Sequence, residues 1–126
     1  MKKDYRDSIK ENDIQKAVAY QMDIWERAAN SFLWWHTPNG ELRHPKVGAE
    51  LKKMGTKSGI PDIIVLHKGG IIFIELKTST GRMEPSQEEF KDDVEAMGHT
   101  YYLVKTSDPN LAVAVIRSHL KNHGVI

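Results

Sequence analysis

Ile60-Pro61-Asp62-Ile63-Ile64-Val65-Leu66 and, beyond Lys68-Gly69-Gly70, Ile71-Ile72-Phe73-Ile74-Glu75-Leu76-Lys77 are the two runs that decide how this chain folds. Both are short, apolar and rich in β-branched residues, which reads as a pair of buried strands. The Lys-Gly-Gly between them is turn chemistry, so the strands should pair as an antiparallel hairpin. Three charges are set into this apolar surface: Asp62 at the start of the first strand, Glu75 and Lys77 at the end of the second. Alternate residues of a strand share a face, so Glu75 and Lys77 point one way and Leu76 the other.

Two carboxylates on adjacent strands repel each other unless a cation neutralises them. A hard cation such as Mg²⁺ or Mn²⁺ takes oxygen ligands, often one or two carboxylates, and keeps the rest of its shell for waters and phosphate oxygens. Asp62 and Glu75 therefore read as ligands of one or two Mg²⁺ or Mn²⁺ ions in a phosphodiester-hydrolysing site. Lys77 reads as the residue that activates or orients water and faces the charge developing on phosphorus. The alternative is a buried ion pair of Lys77 with one carboxylate, which seldom recovers its desolvation cost.

Working outward, Ile14, Val18, Met22 and Trp25 recur at helical spacing and predict a helix over 12–29. Phe32 to His36 reads as a short strand, ended by Pro38-Asn39-Gly40. Val47 to Met54 reads as a short basic helix stopped by Gly55. After a loop over 78–85, Ser86 with Glu89 three residues on suggests a capping box, and Phe90, Val94 and Met97 a buried stripe. Thr100 to Val104 reads as a strand. Asp108-Pro109 should cap and start a last helix that ends before Gly124. The order α, β, α, β, β, α, β, α implies an α/β/α sandwich: a mixed central sheet with helices on both faces. The strand at Tyr102 should lie parallel to the one at Ile72. Trp34 and Trp35 are adjacent in a strand and must face opposite ways. One belongs to the core; the other could stack on a base, cover a partner subunit or pack under a helix.

The pattern Pro61-Asp62 … Glu75-Leu76-Lys77 resembles the PD-(D/E)XK nuclease superfamily. The blocks around it resemble its VRR-NUC (virus-type replication-repair nuclease) family: His36 to Arg43, Lys53 to Asp62, Glu75 to Thr78 with Gly81-Arg82, Pro85-Ser86-Gln87, and Glu11 with Gln15. That resemblance implies a restriction-endonuclease-like fold and an endodeoxyribonuclease acting on branched or structured DNA, such as Holliday-type junctions or flaps, in recombination, repair or replication. It also implies the main-chain carbonyl of Leu76 as a further metal ligand, Glu11 as a possible one, and a catalytic part for Gln87. Members of this kind look suited to act as homodimers, since symmetric incision of a junction needs two sites about a two-fold axis.

Composition is compatible with this reading. At 126 residues, 40% hydrophobic and 28% charged, the chain is expected to form one soluble domain, 1–126. It has no cysteine, which excludes disulfides and thiolate metal sites. The sequence shows no membrane-length apolar run and no signal-peptide pattern, so an intracellular, cytoplasmic location is expected. The net charge of +1 conceals an uneven distribution. Arg43, Lys46, Lys52, Lys53 and Lys57 precede the hairpin; Glu88, Glu89, Asp92, Asp93 and Glu95 follow it. This suggests a polarised molecule with one face for phosphate. His36, Asn39, Arg43, Lys52, Lys57 and Arg82 are the candidate DNA contacts. His44, His67, His99, His119 and His123 lack ligand spacing and are expected at the surface. Two other readings stay open: a sequence-specific restriction-type endonuclease, and a nucleic-acid-binding module of this fold that does not cut.

Overall fold

The paired hairpin strands sit at the centre of a four-stranded sheet whose strands lie side by side in chain order. The computed structural model describes the backbone of residues 5–38 and 45–126 and the side chains of 10–38 and 45–126. Its elements are α1 (Tyr5–Ala29), β1 (Phe32–His36), α2 (Pro45–Lys53), β2 (Ile63–His67), β3 (Gly70–Lys77), α3 (Pro85–Ala96), β4 (Thr100–Lys105) and α4 (Pro109–Asn122). β1 and β3 both run antiparallel to β2, with Trp35 opposite Ile64 and Ile64 opposite Phe73. β4 returns through α3 and lies parallel to β3, with Phe73 opposite Tyr101 and Glu75 opposite Leu103.

Period-two alternation gives the sheet two faces, and each carries its own core. Ile63, Val65, Ile72, Ile74 and Leu76 pack with Ile14, Val18 and Met22 of α1 and Ala112, Ile116 and Leu120 of α4. The opposite face carries Ile64, Phe73 and Tyr101, packed with Val94 of α3. Helices thus cover both faces of a mixed sheet, as the order of elements implied. Full burial of an isoleucine contributes about 1.5–3 kcal/mol, so Ile63, Ile72 and Ile74 anchor the sheet's middle.

Several boundaries depart from the sequence reading. α1 begins at Tyr5 rather than Asn12, because the residues before its apolar stripe contain neither Gly nor Pro and propagate the helix. α2 begins at Pro45, whose fixed φ suits a first helical turn. α3 is capped by Glu84, not Ser86: Pro85, without an N–H, takes the first helical position and moves the cap one residue before it. α4 has Asp108 as its cap, accepting from Asn110 N–H at 3.0 Å, with Pro109 at its start. Among the described residues α2 buries no side chain and packs against no other helix or strand. Also among them, no helix is long and apolar enough to cross a membrane.

The histidines depart from expectation too. His67, His119 and His123 are half-buried around Tyr102, rather than on the surface. The Tyr102 hydroxyl meets His123 Nε2 at 2.6 Å, and His119 stacks on the Tyr102 ring at 3.6 Å. His44 lies outside the described residues. Burial, and then the neighbouring His123 charge, lower the pKa of both His67 and His119. The unfolded chain therefore takes up protons at these two rings before the folded one does. Their contribution is neutral above the ordinary histidine value near 6.5 and turns destabilising as pH falls through it. Urea midpoints should drop as pH is lowered from 7.5 to 5.5, and His123→Gln should make that drop smaller.

Candidate active site

The face of the sheet under α3 also carries the charges. Glu75 and Lys77 share it with Phe73, and Asp62 continues it on the β2 side, two residues before Ile64. Glu75 is 2% exposed and Lys77 5%. Lys77 Nζ lies 3.2 Å from Glu75 Oε2. Asp62 N–H donates to Glu75 Oε1 at 3.2 Å, and Leu76 N–H donates to Asp62 Oδ2 at 2.8 Å. The two carboxylates therefore interlock through each other's backbone, 13 and 14 residues apart in sequence. On its other side Asp62 is clamped to β1. Its carbonyl accepts from Thr37 N–H at 2.9 Å and meets His36 Nδ1 at 2.7 Å.

Gln87 closes the cluster from α3. Its Oε1 accepts from Glu84 N–H at 2.8 Å, at the start of the helix, which leaves Nε2 to donate to Glu75 Oε2 at 2.9 Å. The cap and the contact to Glu75 are two ends of one amide. The α3 end is set close to the strand by Gly59 at φ +79, where an added Cβ would collide with the Ser86 carbonyl. Farther along, Ser79 N–H donates to Ser107 Oγ at 3.0 Å, tying the segment after β3 to the one after β4.

Burial, then the Asp62 charge, push the Glu75 carboxyl up to about 8 against the opposing pull of Lys77. With both carboxylates ionised, as a bound cation would hold them, the cluster carries one negative charge more than the Lys77 ammonium balances. That donor set fits a hard divalent cation: Asp62, Glu75 and the Leu76 carbonyl could supply oxygens, and neither thiolate nor imidazole is in the cluster. Tyr101 shares this face, and its hydroxyl is buried without a hydrogen-bond partner among the described residues. Burial, then the charges of Glu75 and Asp62, raise its pKa.

The structure brings Asp62, Glu75, Lys77 and Gln87 together. Glu11 is half-buried on α1, the helix that packs on the opposite face. Among the described residues no group of three His, Asp or Glu side chains is gathered as a metal site, so Glu11 does not join the two carboxylates. Gln15, one turn on, has a buried Oε1 without a hydrogen-bond partner among the described residues. Lys52 and Lys57 are exposed and line a cleft of about 1170 Å³ between α2 and α3. Glu89 and Asp93 line the same cleft. Arg82 is exposed on the loop after β3. Asn39 and Arg43 lie outside the described residues. The clamp of His36 and Thr37 on Asp62, and Tyr101, were missed by sequence reasoning. Glu84 was legible in principle, as the residue before a proline with a glutamine three positions on.

A family model described as VRR-NUC domain matches residues 10–108. A solved structure described as a "VRR_NUC domain protein" is 23% identical, with 88% of each chain covered and a TM-score of 0.61. Another, described as "VRR_NUC domain", is 19% identical, covering 86% of this chain and 95% of its own, with a TM-score of 0.56. At these identities the likeness concerns the fold. No curated protein matches the chain.

Gln87→Leu removes both the acceptor for Glu84 N–H and the donor to Glu75 while keeping an apolar stem of similar length. Leaving two polar groups unpaired should lower stability by about 1–3 kcal/mol. Urea unfolding measures it, and an unchanged midpoint would mean that the amide holds neither partner in solution.

Proposed function

The chain belongs to the VRR-NUC domain family, and on that premise we propose that it is a Mg²⁺- or Mn²⁺-dependent endodeoxyribonuclease acting on branched or structured DNA. Family membership implies nuclease activity and binding to nucleic acid. The observation that carries the finer reading is the Asp62–Glu75–Lys77–Gln87 cluster, in which two carboxylates meet one ammonium and Glu75, Lys77 and Gln87 are buried. Such a cluster is costly to bury and has no structural return that apolar residues would not supply better.

In this reading Asp62, Glu75 and the Leu76 carbonyl hold the metal. When bound it would acidify a water and offset the charge of the phosphate. Lys77 holds its ammonium beside Glu75 and faces the phosphoryl oxygens as they gain charge. Gln87 fixes the Glu75 carboxylate from α3, and His36 with Thr37 fixes the backbone of Asp62 from β1. Lys52 and Lys57, on one wall of the cleft, take phosphates on either side of the cleaved bond, with Arg82 on the loop beyond β3. Backbone contacts of this kind select shape rather than sequence, which favours a branched substrate over a restriction-type one.

Lys77→Ala, Asp62→Asn and Glu75→Gln should each lower cleavage by at least about 10²-fold, the scale of a lost acid–base or electrostatic group. Labelled four-way, flap and linear DNA in Mg²⁺ give the readout, and wild-type rates in both carboxylate variants would remove the assignment. Mg²⁺ should also raise the wild-type melting temperature, by as much as about 2.7 kcal/mol of stability at a hundred times Kd. Asp62→Asn should lose most of that rise.

Symmetric incision of a junction needs two sites, and each chain has one such cluster among its described residues. A homodimer follows. Sedimentation at micromolar concentration should give twice the chain mass, and dimers mixed from wild type and Lys77→Ala should nick one strand and stall. A strict monomer that still makes paired incisions would require sequential nicking instead.

A further inference from the structure

Trp34 and Trp35 resolve into opposite roles. Trp34 packs towards α1, its indole N–H donating to Asp23 at 2.9 Å. Trp35 therefore points to the other face, the one that carries Asp62, Glu75 and Lys77. It is 45% exposed, and Leu33 at 59% and Leu66 at 42% lie beside it on that face. Among the described residues α3 packs on β4 and the core around it reaches as far as Ile64, leaving Leu33, Trp35 and Leu66 exposed on the β1–β2 side of this face. The result is an apolar strip, without a charged side chain among the described residues.

The register fixes where the strip lies. Trp35 is paired with Ile64, and Asp62 lies two residues before Ile64. Same-face residues two apart are separated by about 6.8 Å along a strand, and neighbouring strands by about 4.8 Å. Those spacings put Trp35 and Asp62 roughly 8 Å apart, backbone to backbone. An indole ring and one nucleotide span that distance. A phosphate held through a cation on Asp62 and Glu75 would bring its neighbouring base over Trp35, where the described residues offer an aromatic face and no charge to accommodate a phosphate.

Resting on the nuclease reading, we propose that Trp35, flanked by Leu33 and Leu66, is a stacking platform for an unpaired nucleobase next to the cleaved phosphate. Inside a duplex both faces of a base are already stacked, so the platform can be used only by a base at a flap, an end or a branch. This gives the preference for structured DNA a physical origin within a single chain. A second copy of the chain fits the strip poorly. It would cover the row that carries Asp62 and Glu75, and three exposed side chains fall far short of the roughly 20–30 residues a side of a stable interface.

The test uses the full chain with Ca²⁺ in place of Mg²⁺, a cation that the same oxygen ligands can hold, and two fluorescent flap substrates, identical except that one has abasic nucleotides in the unpaired arm beside the branch. Base–aromatic stacking corresponds to roughly five- to 150-fold in affinity per base. Wild type should prefer the flap with bases by a factor in that range. Trp35→Ala should bring the ratio close to one, and Trp35→Phe should keep most of it. A ratio near one in wild type, or one that Trp35→Ala leaves intact, overturns the platform. So does a fall of the sedimenting mass from dimer to monomer in Trp35→Ala, which would make the strip a subunit contact. A wild type that cuts either flap in Mg²⁺ but shows no base preference defeats only this proposal. One that neither binds nor cuts defeats the nuclease reading with it.

Discussion

Three charged side chains held against the apolar face of a sheet are the constraint on which the rest depends. Glu75 and Lys77 are almost wholly buried, and each ion loses several kcal/mol of hydration on leaving water. The fold offsets that loss with donors drawn from three directions. Lys77 and Gln87 meet one oxygen of Glu75, Asp62 N–H meets the other, and Leu76 N–H meets Asp62. Removing any one of them leaves a buried charge short of a partner. Asp62 has no cation of its own among these contacts, and burial, then the Asp62 charge, raise the Glu75 carboxyl against the pull of Lys77.

The two faces of the sheet divide the work accordingly. α1 and α4 bury Ile63, Val65, Ile72, Ile74 and Leu76 in the larger core, which needs no polar partner. That core leaves the other face free to be chemically specialised. There α3 does two things at once: Phe90 and Val94 pack on the sheet, and Gln87, one turn earlier, reaches Glu75. The parallel return of β4 is what makes this possible, because the crossover from β3 to β4 must pass a helix over the face where Glu75 points.

Much of this was legible in the sequence wherever the signal was local. The Lys68-Gly69-Gly70 turn between β-branched runs gave the hairpin, period two gave the shared face of Glu75 and Lys77, and Asp108-Pro109 gave the start of α4. The order of all eight elements followed from such signals. What escaped was set by contacts between distant segments. Nothing near Asp62 in sequence announces that His36 and Thr37 hold its carbonyl, or that Ser79 meets Ser107 across 28 residues. The cap of α3 was misassigned for another reason. Two serviceable patterns overlapped, and the proline at the first helical position outranked the serine after it. The tryptophan pair was half-determined: alternation required opposite faces, but only the hydrogen bond of Trp34 to Asp23 decided which was which.

The apolar surroundings of the charged row also set the strength of its chemistry. Phe73, Ile64 and Tyr101 lie in the row next to Asp62 and Glu75, so the field of Lys77 is screened by side chains rather than by water. Coulomb interactions grow as the local dielectric falls, and the burial that pushes the Glu75 carboxyl up also strengthens the hold of Lys77 on any negative charge brought beside it. A substrate that lies across the row and the uncovered strip on β1 and β2 would exclude more water and deepen the effect. Binding and electrostatic stabilisation are then coupled through one physical variable, the dryness of a single sheet face. The exposed half of that face is the part a nucleic acid would have to cover.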